Sequence, residues 1–273
     1  MLLAESGATK IAWCLVHHNS TIRFETSGIR AGHTSKSKIA EILREASSFF
    51  SPYPIESLHF YCSGCLSVER QSEMTEDLKP FFPNPIQINV YADLHAAAKA
   101  TLGNSTGTCF ILGTGSVMFE WDGQEVVELF GGKGFPEGDF AGGADLGQRL
   151  ITYLSSSPDA VLVSQFENQY GKLDQLAEQI SHSESIAKAF GQFAPFVIHN
   201  QTHDAISKLI NEAVEEFLND KPAKLEMKKL ALVGSLAYHL KDRIIKQLHL
   251  TLPIDVIVEP QSMDGLITYH LNH

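Results

Sequence analysis

Three short turns hold residue types that suit phosphate: Ser6-Gly7-Ala8-Thr9-Lys10, Gly113-Thr114-Gly115-Ser116 and Gly234-Ser235, each following an apolar run. Glycine lets the backbone come close to a phosphate oxygen, hydroxyls and N–H groups donate to it, and a helix start adds partial positive charge. One such turn is most often an ordinary loop, because small residues punctuate strands everywhere. Three of them, the first two heading the two halves of the chain, point to a nucleotide held in a cleft between domains. Asp93 opens the segment Tyr91-Ala92-Asp93-Leu94-His95-Ala96-Ala97-Ala98. A carboxylate there serves either as a helix N-cap or as a general base that takes the proton of a reacting hydroxyl.

Other chemistry-bearing residues are less telling. Cys62-Ser63-Gly64-Cys65 has the C-x-x-C spacing of half a zinc site or of a redox pair, yet no second pair follows, and Cys14 and Cys109 stand singly in apolar runs. A structural turn is the expectation. The 12 histidines, including His17-His18 and His199 to His203, show no metal-binding spacing and read as surface or polar-core residues.

These residues need elements to position them. Leu2–Ala4, Ile11–His17 and Thr21–Thr26 read as a strand meander, followed by helix Ser37–Phe50, strand Leu58–Tyr61, helix Val68–Lys79, strand Ile86–Val90 and helix Asp93–Leu102. The polar run Gly103-Asn104-Ser105-Thr106-Gly107 reads as a hinge, which sets the expected domains at 1–104 and 105–273. Beyond it, strands Thr108–Leu112, Val117–Trp121 and Gln124–Phe130 repeat the opening theme and suggest a duplicated architecture. A helical stretch spans Ala144–Asp220, with breaks at Ser155–Pro158 and around Gly171, Pro195 and Asn200–His203. Strand Lys229–Val233, helix Ser235–Leu248, strand Ile254–Val258 and a closing helix at about 263–273, packed back on the first lobe, complete an α/β chain.

The 273 residues are enough for about two domains, and 44% hydrophobic with 19% charged residues describes an ordinary globular chain. With 21 Lys and Arg against 32 Asp and Glu, the net charge of −11 repels nucleic acid and anionic membranes. No apolar run reaches the roughly 20 residues of a membrane span, and the first residues lack the basic start of a secretory signal. The expected compartment is the cytoplasm, with the 4 cysteines reduced.

The segment from Glu5 to Lys10 resembles the first phosphate loop of the sugar kinase, heat-shock chaperone and actin superfamily. Leu112 to Ser116, Gly131-Gly132-Lys133-Gly134-Phe135 through Gly138-Asp139, and Leu146-Gly147 resemble the N-acetylglucosamine kinase-like branch of the BadF/BadG/BcrA/BcrD ATPase family. Val233 to Tyr238, Asp264-Gly265-Leu266 and Tyr269-His270 match the adenosine side and the closing element of that branch. The resemblance covers nearly the whole chain. It implies two ribonuclease-H-like (actin-like ATPase) lobes flanking a nucleotide cleft, ATP with Mg2+, and phosphoryl transfer to the hydroxyl of an amino sugar; it admits a homodimer.

By that resemblance Asp93 takes the base position. Ser6, Gly7, Thr9 and Lys10 match the first phosphate loop, Gly113, Thr114 and Gly115 the second, and Gly234 with Ser235 the adenosine side. Arg30, Ser116, Gly132, Lys133, Gly134 and Asp139 fall at substrate-facing positions, and Glu5 at the metal position. Four residues depart from the pattern: Glu5 where relatives carry aspartate, Arg30 and Val117 where they carry sugar-contacting asparagines, and Phe140 where they carry glutamate. Lost amide donors change which sugar is accepted, because unpaired groups in a polar site discriminate strongly. Two other readings stay open: a sugar or nucleotide sensor whose chemistry has eroded, and an activator ATPase holding an iron–sulfur cluster between two subunits.

Overall fold

The computed structural model describes all residues except 8, 18–19, 83–85, 157–158, 184, 222–228, 249–253 and 273. Ala8 of the first turn, His18 and Pro158 therefore lie outside the described residues. The chain divides into two compact units, Met1–Asn104 with Ser262–His273, and Ser105–Gln261.

The first unit begins with β1 (Leu2–Ser6), β2 (Lys10–His17), β3 (Ser20–Ser27), α1 (Lys36–Phe50), β4 (Ser57–Cys62), α2 (Val68–Leu78), β5 (Gln87–Ala92) and α3 (Asp93–Thr101). Its sheet has the order β3-β2-β1-β4-β5, with an antiparallel meander at one side and β4 and β5 parallel to β1. The buried central strands are nearly all apolar, and Trp13, Phe50 and Phe60 pack together under the sheet. Alternating Ile39, Ile42, Leu43, Ala46 and Phe50 give α1 the inward stripe that covers this face.

The second unit contains β6 (Gly107–Leu112), β7 (Ser116–Trp121), β8 (Val126–Gly131), α4 (Gly143–Ser156), α5 (Ala160–Tyr170), α6 (Leu173–Ser181), α7 (Ile186–Gly191), α8 (Ala194–His199), α9 (Asp204–Asn219), β9 (Lys229–Val233), α10 (Ser235–Gln247) and β10 (Asp255–Glu259). Its sheet, β10-β9-β6-β7-β8, has the same plan as the first: a meander, then two strands parallel to its first strand. Phe110, Phe166, Phe193 and Leu240 anchor its core. The last element, α11 (Met263–Asn272), belongs to the first unit and packs on α3. Gly265 permits that approach, since a Cβ there would overlap the Ala100 carbonyl oxygen. Arg23 pairs with Asp264, and the Tyr61 hydroxyl shares a hydrogen bond with His270 at 2.7 Å.

Some expectations move. Pro195 does not break a helix: it sits in the first turn of α8, where a missing N–H costs nothing, and the break falls before it. A further break between α6 and α7 has no glycine or proline to announce it. The third strand of the second meander starts at Val126 rather than Gln124, because Gln124 and Glu125 donate their N–H groups to the Asp122 carboxylate in a side-chain-closed turn.

Candidate active site

Strand register brings the first group of residues together. Ser6 of β1 lies beside Cys62 of β4, and Cys62 beside Ala92 of β5, so the ends of three parallel strands carry Gly7, Ser63 and Asp93 along one edge. Asp93 is the first helical residue of α3, and the N-cap position is Ala92. Of the two roles open to Asp93, the N-cap position is thus taken by Ala92. Its Oδ1 accepts the Leu94 N–H at 3.1 Å, and the Ser63 hydroxyl also hydrogen-bonds to its side chain. Burial raises its affinity for a proton, while those hydrogen bonds and the Arg30 charge oppose the rise. A half-buried carboxylate of raised basicity, fixed in orientation, is equipped to accept a proton from a hydroxyl.

Burial pushes the Glu5 carboxyl up to about 7 against a hydrogen bond to Ser262; the Asp93 charge adds to the rise and Lys10 opposes it. A buried carboxylate whose proton affinity a second carboxylate raises makes a site that gains from a bound cation, which fits a metal at Glu5. Among the described residues no cluster of three or more His, Cys, Asp or Glu side chains could hold a metal by itself.

The other predicted residues of this group separate in role. Ser6 is fully buried, and its hydroxyl donates to the Ile29 carbonyl at 2.9 Å and accepts the Ile29 N–H at 3.1 Å. That hydroxyl fastens the Arg30 loop and is not turned toward a ligand. Gly7 donates its N–H to the Lys10 carbonyl at 3.0 Å, Thr9 is exposed, and Lys10 pairs with Glu25 across the meander at 2.5 Å. Cys62 and Cys65 are buried free thiols that hydrogen-bond to each other, which holds the Cys62 thiol up and the Cys65 thiol down.

In the second unit the turn Gly113–Ser116 joins β6 to β7, and the start of α4 is stitched to it. Gly143 N–H donates to the Gly113 carbonyl at 2.8 Å and Ala144 N–H to the Thr114 carbonyl at 2.9 Å. The Ser116 hydroxyl donates to the Phe140 carbonyl at 2.5 Å. The Asp139 carboxylate occupies the place a Cβ on Gly115 would need, so a side chain there would push that carboxylate aside. Gly132 sits against Val117 and Lys133 against Gly138, which gathers Ser116, Gly132, Lys133 and Asp139 in one loop cluster, while Gly134 has open space beside it.

Gly234 turns β9 into α10 at φ 108°, pressed against the Leu112 carbonyl oxygen, and Ser235 begins the helix. Here a side chain would meet both backbone strain and overlap. Beside this helix start lies a cavity of about 440 Å³ lined by Gly113, Thr114, Gly191, Pro195, Ser235 and His239, among others. Its size and its mix of apolar walls with helix-start donors fit a nucleoside with its phosphates.

Sequence reasoning missed two features. His199 and His239 line the cavity, with no spacing signal to mark them. Asp145, buried in α4, accepts the Ala141 N–H at 2.9 Å and Arg149 Nε at 2.8 Å, and Arg149 grips both oxygens of Glu216 at 3.1 and 2.7 Å. This network secures Ala141 at φ 58°, an uncommon conformation for a residue with a side chain, in the loop that carries Asp139. The i,i+4 spacing of Asp145 and Arg149 was the available signal.

No family model matches the sequence, and no curated protein matches it. Solved structures do. A candidate N-acetylglucosamine kinase from Porphyromonas gingivalis superposes with TM-score 0.87 at 27% identity, covering 100% of this chain and 99% of that one. A candidate N-acetylglucosamine kinase from Chromobacterium violaceum gives 0.70 at 20% identity, over 98% of each chain. A ROK family glucokinase from Streptomyces griseus gives 0.66 at 15% identity, over 98% of this chain and 97% of that one. The chain has the two-lobed, actin-like ATPase fold of sugar kinases, and its resemblance to the N-acetylglucosamine kinase-like branch extends over its full length. Among the described residues, no helix is long and apolar enough to cross a membrane.

Proposed function

We propose, from a fold shared end to end with sugar kinases, that this chain transfers the γ-phosphoryl group of ATP to a hydroxyl of an amino sugar or a near relative. The observation that carries the reading is Asp93, held at the start of α3 by Leu94 and Ser63 with its basicity raised by burial. Asp93 accepts the hydroxyl proton as the sugar oxygen attacks phosphorus, and the products are a sugar phosphate, ADP and a proton. Gly7 and Thr9 in the first unit and Gly113, Thr114 and Gly115 in the second supply the phosphate turns. Gly234, Ser235 and the cavity beside them take the adenosine. Glu5 would hold magnesium, which when bound offsets charge on the transferring group. Ser116, Gly132, Lys133, Gly134 and Asp139 form the second unit's contribution to substrate binding.

The Streptomyces griseus glucokinase was solved with glucose and AMPPNP, which supports ATP and a sugar as the substrate pair. The Porphyromonas gingivalis and Chromobacterium violaceum proteins, as candidate N-acetylglucosamine kinases, support an amino sugar. The test is ADP release, measured by a coupled assay, against a panel of hexoses, hexosamines and N-acetylated sugars. At least one sugar should stimulate release, and Asp93→Asn should lower turnover by about 10²–10⁴-fold, the usual share of general base catalysis. The same variant should melt slightly higher, because it removes a charge that burial disfavours. A sugar that stabilises the protein without stimulating ADP release would instead establish a sensor.

A further inference from the structure

Arg30 stands in a loop whose backbone is pinned, and among the described residues its side chain forms no ion pair. Its loop is tied down on every side: Ile29 to the Ser6 hydroxyl, the Arg30 N–H to Thr34 Oγ1 at 2.9 Å, and the Ala31 N–H to the Ser63 carbonyl at 2.8 Å. The Arg30 carbonyl accepts the N–H groups of His33 and Thr34 at 3.0 and 2.9 Å. The side chain itself is exposed and makes no hydrogen bond or ion pair among the described residues. Other arginines are spent within the protein: Arg23 on Asp264, Arg70 on Glu73, Arg149 on Asp145 and Glu216, and Arg243 on Ser207 and Asn211. Only Arg44 is as bare among the described residues, and it stands on the exposed face of α1.

The place of Arg30 gives its bareness a direction. Arg30 forms a β-bridge with Ser63, Ser63 follows Cys62, and Cys62 lies beside Ala92, the residue before Asp93, so the loop runs along the strand ends that carry the candidate base. The Arg30 charge in turn favours the ionised Asp93. A guanidinium offers a planar fork of donors that matches a carboxylate through two parallel, charge-assisted hydrogen bonds. Sugar hydroxyls can accept from that fork too, but without the charge assistance that a carboxylate brings. A phosphate dianion would add two charges beside Glu5 and Asp93, in a chain of net charge −11, whereas a carboxylate adds one.

We propose that Arg30 selects a sugar bearing a carboxylate substituent as the phosphoryl acceptor. This rests on the kinase reading above and narrows its substrate class.

The experiment measures kcat/KM for matched pairs: glucose against glucuronate, and N-acetylglucosamine against its 3-O-lactyl ether. Wild type should prefer the acid in at least one pair by about tenfold or more, and Arg30→Gln should lower the acid-to-neutral ratio by about 10²-fold, the scale of a charged hydrogen bond. Arg30→Lys, which keeps the charge and loses the fork, should fall between the two. Preference for the neutral sugar in both pairs, a ratio unmoved by Arg30→Gln, or preference for glucose 6-phosphate over both acids would overturn the inference. Thermal shift with each sugar and no nucleotide separates the two readings. Acid-sugar stabilisation that Arg30→Gln abolishes, with no sugar turned over, would keep Arg30 as the group that recognises the carboxylate and overturn the kinase, and with it the acceptor role. Turnover of neutral sugars with no acid sugar bound or used would do the reverse. No acid-sugar binding and no turnover would overturn both.

Discussion

In the first unit the strand beside β1, β4, runs into Cys62-Ser63-Gly64-Cys65; in the second the strand in the equivalent place, β9 beside β6, runs into Gly234 and directly into α10. Both turns contain a left-handed glycine jammed against a backbone carbonyl, Gly64 with φ 86° at Ala31 and Gly234 with φ 108° at Leu112. Their outcomes differ. The first turn clamps the Arg30 loop and sets Ser63 on Asp93, so its unit gathers charged side chains; the second opens a helix start onto a cavity, so its unit offers glycines and backbone donors. One sheet plan decides where the strand ends fall, and the few residues past each end decide the chemistry.

Paired substitutions test that contrast most severely. Gly64→Ala and Gly234→Ala should each lose roughly 2–4 kcal/mol in denaturant unfolding, from backbone strain plus overlap. Only Gly234→Ala should also abolish the upward melting shift with saturating Mg-ATP, a shift expected because a ligand selective for the native state stabilises it. Equal loss of that shift in both variants would break the comparison. Next in size, Arg149→Leu leaves the buried Asp145 carboxylate and Glu216 unpaired and should cost about 2–3 kcal/mol, below the range for a fully buried pair because Glu216 is 44% exposed. Its damage should concentrate in the loop Gly138–Gly142, read as faster amide exchange at Ala141.

The smallest effect is a pH slope that belongs to the first unit. Burial lowers the His59 pKa to about 4, with help from Lys99 and the N-terminal amine. Unfolded, His59 takes up a proton below about 6.5; folded, it resists until about 4, so stability falls as pH drops through that window and His59 contributes no further loss below it. His59→Gln should flatten the melting-temperature profile between those two values, and an unchanged profile would assign the slope to other groups.

Much of the architecture was legible because alternation and turn residues report local geometry. The two meanders and the glycine turns at Gly113–Ser116 and Gly234 stand in the sequence where the sheets place them. What local patterns do not carry is the destination of a side chain. Ser6 looks the same as Thr9 on paper, and only the fold shows its hydroxyl consumed by Ile29, 23 residues away. The Asp145–Arg149 pair was readable as an i,i+4 spacing, but Glu216 joins it from α9, 67 residues on. His199 and His239 reach one cavity from two helices, a meeting that no spacing rule encodes. Asp93 shows the same limit at one residue's scale: its neighbours in sequence leave cap or base open, and the helix starts one position earlier than a capping Asp93 would require.

The closing helix sets an order of events during synthesis. Leu3, Cys14, Tyr61 and Ala96 form one apolar cluster with Met263 and Leu266, so the covering of that face of the first unit is translated after the entire second unit. At about 5–20 residues per second the ribosome leaves that face bare for roughly ten to thirty seconds, the time it takes to make the second unit, which then has all its residues before the first does. The unit made first is therefore the last to be finished, and its α3 face stays without its cover throughout that interval.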